Sequence, residues 1–202
     1  MIAATVGGIA VPISEVDARE ARLRDGPLAA ALPRAGTSEG RQLRRWLTQL
    51  IVTERVIAVE ADALKVTAAD APSEAELLPD VTARLELGSM AAAVLGQELA
   101  RALFARVTAA IDVSDDDVAD YHARNPLRFA TVPPGRNGWR GAAFAAPPLE
   151  QVRSMIAEHL RAAARRRAFR VWIDVRRAAQ VRLAPGYEHP GDPRQPDNTH
   201  RH

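Results

Sequence analysis

Three of the five histidines lie in the last fourteen residues, at His189, His200 and His202. His200 and His202 are two apart, so in an extended chain both imidazoles project to one side and can chelate one ion. His189, with Glu188, Asp192 or Asp197, could complete a nitrogen/oxygen set for Zn²⁺, Cu²⁺ or Ni²⁺, and the terminal carboxylate is a further ligand. Pro190, Pro193 and Pro196 hold the same string extended, which also suits docking on the body of the protein or on a partner. Metal ligation, docking without metal and a plain solvated tail are all open readings.

Other reactive patterns carry less. Arg161, Arg165, Arg166, Arg167, Arg170, Arg176 and Arg177 form a basic run, but Glu158 and Asp174 interrupt it and no aromatic platform is interleaved. With 27 Lys and Arg against 25 Asp and Glu, net charge +2, the chain is not a polycation. The run reads as a solvated or internally paired face, with an acidic partner next and nucleic acid last. Asp115-Asp116-Asp117 follows Ser114 and complements a helix N-terminus. His122 and His159 sit within helical patterns and read as satisfied histidines. There is no phosphate loop, dinucleotide fingerprint or His-Glu-x-x-His, so the expectation is a non-enzyme. Without cysteine, disulfides and thiolate metal sites are excluded.

The elements that would position these residues are mostly helical. Aromatics are only 4% and the apolar residues are chiefly Ala, Val and Leu. Ile2–Val6 and Ile9–Ile13 flank Gly7-Gly8, a hairpin signal. Ser14-Glu-Val-Asp17 has the form of a capping box for a helix ending near Asp25-Gly-Pro27. Thr37 or Ser38 opens a long helix with Leu43, Trp46, Leu47, Leu50, Ile51, Ile57, Ala61 and Leu64 on one face and Arg41, Arg44, Arg45, Glu54 and Arg55 elsewhere. Ser73 caps a helix ending near Gly88, and Met90 to Ile111 reads as one more. Ser114 caps the next, which Asn125-Pro126 stops. After a Pro/Gly-rich spacer, Pro148 opens a final helix with a stripe of Leu149, Val152, Ile156, Leu160, Ala164, Val171, Trp172 and Val175. Gln180–Ala184 is strand-like and is expected to pair with the N-terminal hairpin.

Three segments carry a family resemblance. They are Val6–Asp17, then Val113–Phe129 with its Val-Ser, acidic residues, Tyr, Asn-Pro and Phe, and Pro148–Val181 with Phe169, Trp172 and Asp174. In this order they resemble the SurA/PrsA-type foldases, the parvulin-family chaperones, in which a prolyl-isomerase domain separates the last two. The spacer here is too short to hold that domain, so no catalytic residue is carried over. The resemblance implies a SurA N-domain-like helical chaperone fold with a small β element from both chain ends and an irregular tail. Its divisions would be a helical part at 1–129, a spacer at 130–148, a completing helix and strand at 149–184, and the tail at 185–202. It implies capture of unfolded polypeptide, or of one dedicated partner, in an apolar groove. Trp139 and Phe144 of the spacer would pack on nearby helices or line that groove.

The alternatives are a metal-binding protein using His189, His200 and His202, with Zn or Cu as the possible cofactor, and a structural module that dimerises through strand edges. No signal-peptide pattern begins the chain and no stretch approaches a membrane span, which gives the expectation of a cytoplasmic protein with no membrane partner. Heavy Ala and Arg usage fits a GC-rich genome of actinobacterial type.

Overall fold

A hairpin opens the chain, formed by β1 (Ile2–Val6) and β2 (Ile9–Pro12). Gly7 and Gly8 both take positive φ, 56° and 84°, which gives the turn the twist two right-handed strands need. Val6 lies opposite Ile9 and Ala4 opposite Val11. β3 (Val181–Leu183) arrives from the far end of the chain and pairs antiparallel with β1, giving the order β2-β1-β3. The expected pairing of the two chain ends is therefore observed. This computed structural model describes residues 1–69, 71–129 and 146–192. Trp139, Phe144, His200 and His202 fall outside the described residues.

Among the described residues, eight α-helices make up the rest of the regular structure, apart from a short 3-10 turn at Ala29–Ala31. The first, α1 (Ile13–Arg24), follows β2 with no loop, and Ser14 does not cap it. Pro12 holds the extended conformation just before the helix, so Ser14 already lies inside the first turn and has no capping position to fill. The helix is anchored by Glu20, whose carboxylate accepts from Arg24 Nε and Nη2 (2.9 and 2.6 Å) and from Arg44 Nη1 (2.7 Å). Burial works to raise the Glu20 pKa, but the bonds from the two arginines outweigh it and hold the carboxyl below its ordinary 4.5. A lowered carboxylate pKa stabilises the fold above the unfolded value, and that contribution disappears as pH falls through the folded value. Glu20→Gln is expected to cost about 1–2 kcal/mol at pH 7. In urea titrations across pH, the gap to the native protein should close below about pH 4; an unchanged gap at low pH would contradict this account.

Helix α2 (Ser38–Ala63) is capped as expected by Thr37, which accepts from the Gly40 N–H. It runs through the main core, burying Leu47, Ile51, Val52, Val56, Ile57 and Ala61. Arg45, expected on the polar face, is 5% exposed because the C-terminal segment covers it.

Each of the next two expected helices is broken in two. Ser73 forms its capping box on α3 (Glu74–Leu77), but Pro79 prevents continuation and Asp80 caps a new helix, α4 (Val81–Leu87), on the Ala83 N–H. The apolar series from Met90 divides into α5 (Ser89–Val94) and α6 (Glu98–Val107). Arg101 stabilises the corner by donating to the carbonyls of Leu95 and Gly96 (3.1 and 2.9 Å), which a continuous helix would have bonded internally. Buried Leu95 and Leu103 keep both pieces on the same core.

Ser114 and Asp117 form a reciprocal capping box at the start of α7 (Asp115–Arg124). The last helix, α8 (Leu149–Gln180), has 32 residues and spans about 48 Å. Its first half packs with α7 around Val118, Val152 and Ile156; its second half enters the main core through Phe169 and Ile173. The expected stripe holds at Val152 and Ile156 but fails further on, where Val171 and Val175 are 64% and 61% exposed. The true stripe continues through Ala163, Arg166, Phe169 and Ile173. A buried arginine within it hides the register from a hydrophobicity pattern. No helix among the described residues is long and apolar enough to cross a membrane.

Candidate functional site

The candidate site is a stretch of α2 that grips an irregular piece of chain. After β3, residues 185–192 return along α2. Arg45 Nε donates to the Gly186 carbonyl and buried Gln49 Nε2 to the Tyr187 carbonyl, each at 3.2 Å. The Tyr187 side chain packs against the main core and bonds Arg44. Burial lowers the Arg44 pKa, but Asp17, Tyr187 and Glu20 outweigh it and raise the value, so the guanidinium keeps its charge. Gln49 Oε1 accepts from Arg177 Nη2, which ties this contact to α8.

Beyond Tyr187, Pro190 reaches an open trough of about 380 Å³ that Pro33, Glu39, Gln42, Leu43 and Trp46 also line. The helical spacing puts Leu43 and Trp46 on adjoining turns of one face, with Gln42 beside them. The grip is directed at main-chain carbonyls, which every polypeptide carries, while the trough supplies apolar contact without a shape for one side chain. A second apolar hollow of about 180 Å³ lies between Val6 and Ile9 of the hairpin and Ala58 and Val59 of α2. There Arg55 donates to the Ala10 carbonyl at 3.1 Å, covering part of the β2 edge.

Of the three histidines expected to hold a metal, only His189 is described. Its Nδ1 accepts from the Gly191 N–H at 3.0 Å, so that nitrogen is committed to the turn. Among the described residues no group of three His, Cys, Asp or Glu side chains gathers to hold a metal. His122 Nε2 bonds the Pro147 carbonyl at 2.9 Å. His159 lies among Tyr121 and Phe129, ring centroids 5.6 and 6.2 Å away. Burial, with Arg128 and Arg166 nearby, holds its pKa below the ordinary 6.5, so it packs as a neutral ring. The basic run is largely paired: Arg161 with Asp112, Arg166 with Glu86 and Arg176 with Glu60.

The residues of the grip were visible in the sequence only as parts of other patterns. Arg45 is placed off the apolar face and Gln49 is not singled out, because nothing local shows that a segment some 140 positions later will cover them.

Fold and site together describe a mostly helical protein whose two chain ends meet in one small antiparallel sheet. Residues 2–39, from β1 to the first turn of α2, match a family model described as a family of unknown function (DUF7158). No curated protein and no solved structure matches the chain.

Proposed function

We propose that this protein is a non-catalytic, chaperone-like binder that holds extended polypeptide, either several unfolded clients or one dedicated partner, against the apolar trough of α2. The observation that carries the reading is the docked segment 185–192: the body holds a non-helical piece of its own chain through its main-chain carbonyls and a proline. A client would be held by the same chemistry. The SurA/PrsA-type resemblance supports the same reading, since it implies a last helix that returns to the N-terminal elements and a β element built from both ends.

The test is aggregation of two unrelated denatured enzymes, followed by light scattering with the full chain present. Suppression of both is expected at near-equimolar ratio. A chain ending at Ala184, which frees Trp46, Arg45 and Gln49, should suppress at least as well per molecule. Suppression by neither form, together with recovery of no stoichiometric partner, would overturn the reading; a single stoichiometric partner would make it a dedicated assembly factor.

A further inference from the structure

A polar pocket on the opposite side of Gln49 has the composition of an anion site. It has a volume of about 310 Å³, and Thr53, Ser89, Arg170, Asp174, Arg177 and His189 line it. Arg170 and Arg177 are seven residues apart, two turns of α8, and therefore share one face. The Arg170 guanidinium lies over Gly88, whose φ of 79° turns the chain between α4 and α5. Arg170 makes no hydrogen bond or ion pair among the described residues, in contrast to Arg161, Arg166 and Arg176 of the same helix.

Arg177 is the more unusual group. It is half-buried, Nη2 donates to Gln49, and its Nε is buried with no acceptor. Burial holds its pKa below the ordinary arginine value, and the charge of Asp174 opposes this only in part. A partly desolvated guanidinium is costly to maintain, and an anion bound in the pocket beside it offsets part of that cost. With two arginines against one aspartate, the lining carries net positive charge. His189 adds a donor of fixed position: because Nδ1 accepts from Gly191, the proton of the neutral ring sits on Nε2. Ser89 supplies a hydroxyl. The pocket at Arg161, Arg165 and Arg166 differs in that Glu76 and Glu158 share its wall and Arg161 and Arg166 are already paired, with Asp112 and Glu86.

We propose that the Arg170–Arg177–His189 pocket binds a compact oxyanion, a carboxylate or a phosphate. The site is separate from the α2 trough and does not depend on the reading given to it. His189 belongs to the docked segment, so the pocket is complete only when that segment is in place.

The full-length protein labelled with ¹⁵N would be titrated at constant ionic strength while the arginine Nε–Hε resonances are followed. The probes are inorganic phosphate and one short peptide in free-acid and C-terminally amidated forms. A saturable shift of the Arg177 resonance is expected with at least one oxyanion. Arg170→Met, at an exposed position where folding is not at stake, should weaken binding about tenfold. Arg167→Met, outside the pocket on the same helix, should leave it unchanged. A response to the free-acid peptide and not to the amide identifies a polypeptide C-terminus as the source; a response to phosphate alone identifies a small phosphate. No saturable shift with any probe, or equal losses in the two variants, overturns the proposal.

Discussion

Phe169→Ala is expected to remove about 3–5 kcal/mol of folding stability, enough to leave a protein of ordinary stability largely unfolded in mild denaturant. Phe169 is fully buried where α8 meets the main core, with Phe104 at a 5.1 Å centroid distance on one side and Trp172 at 5.7 Å on the other. Trp172 in turn carries the Arg176 guanidinium, 5.8 Å from its ring. Deleting the ring forfeits its transfer free energy and leaves a cavity that the tilted Phe104 of α6 and the stacked Trp172 of α8 cannot close. Urea denaturation followed by far-ultraviolet circular dichroism measures the loss. Phe169→Leu should cost markedly less, because it restores most of the volume. A loss below about 1 kcal/mol for the alanine variant would mean that α8 does not pack as described.

The second large effect is expected at Arg166, where alanine should cost about 2–4 kcal/mol. Arg166 is 6% exposed, and its guanidinium makes two contacts, Nε to Glu86 at 2.7 Å and Nη1 to the Leu77 carbonyl at 3.3 Å. It thereby ties α8 to α4 and to the end of α3. Truncation leaves Glu86 without its nearest cation; Arg167 is 3.9 Å away and mostly solvated. The Glu86 side chain keeps 24% of its surface exposed, so water relieves part of the loss and places the effect below that of a fully buried pair. Arg166→Met keeps the stem's packing and should recover part of the stability. Arg167→Ala should cost less than about 0.5 kcal/mol. Equal effects at 166 and 167 in the same denaturation experiment would contradict the assignment of Arg166 to the core.

The local chemistry of several boundaries was legible in advance for a common reason. Gly7-Gly8, Thr37, Ser73 and Ser114 each act on groups within three or four residues, so their turn or cap forms wherever the chain goes next. Ser14 fails by the same logic, since Pro12 and the strand before it move the helix start two residues earlier. The breaks at Pro79 and Gly96 had visible markers, but the apolar spacing on either side ran straight through them. A core curving around α2 accepts two short helices where periodicity alone reads one long one.

What the sequence determined by itself is the helical class, the hairpin, the caps at Thr37, Ser73 and Ser114 and the strand character of the segment after α8, because each follows from short-range spacing and residue type. Only the tertiary structure decided which faces are dry. It buried Arg45 and Arg166, exposed Val171 and Val175, and brought Arg177 and His189 together at one pocket with Arg170. Burial of a charged side chain depends on a partner that arrives from far along the chain, 141 residues away for Arg45 and 80 for Arg166. No local pattern encodes that arrival, and the candidate sites lie where it occurs.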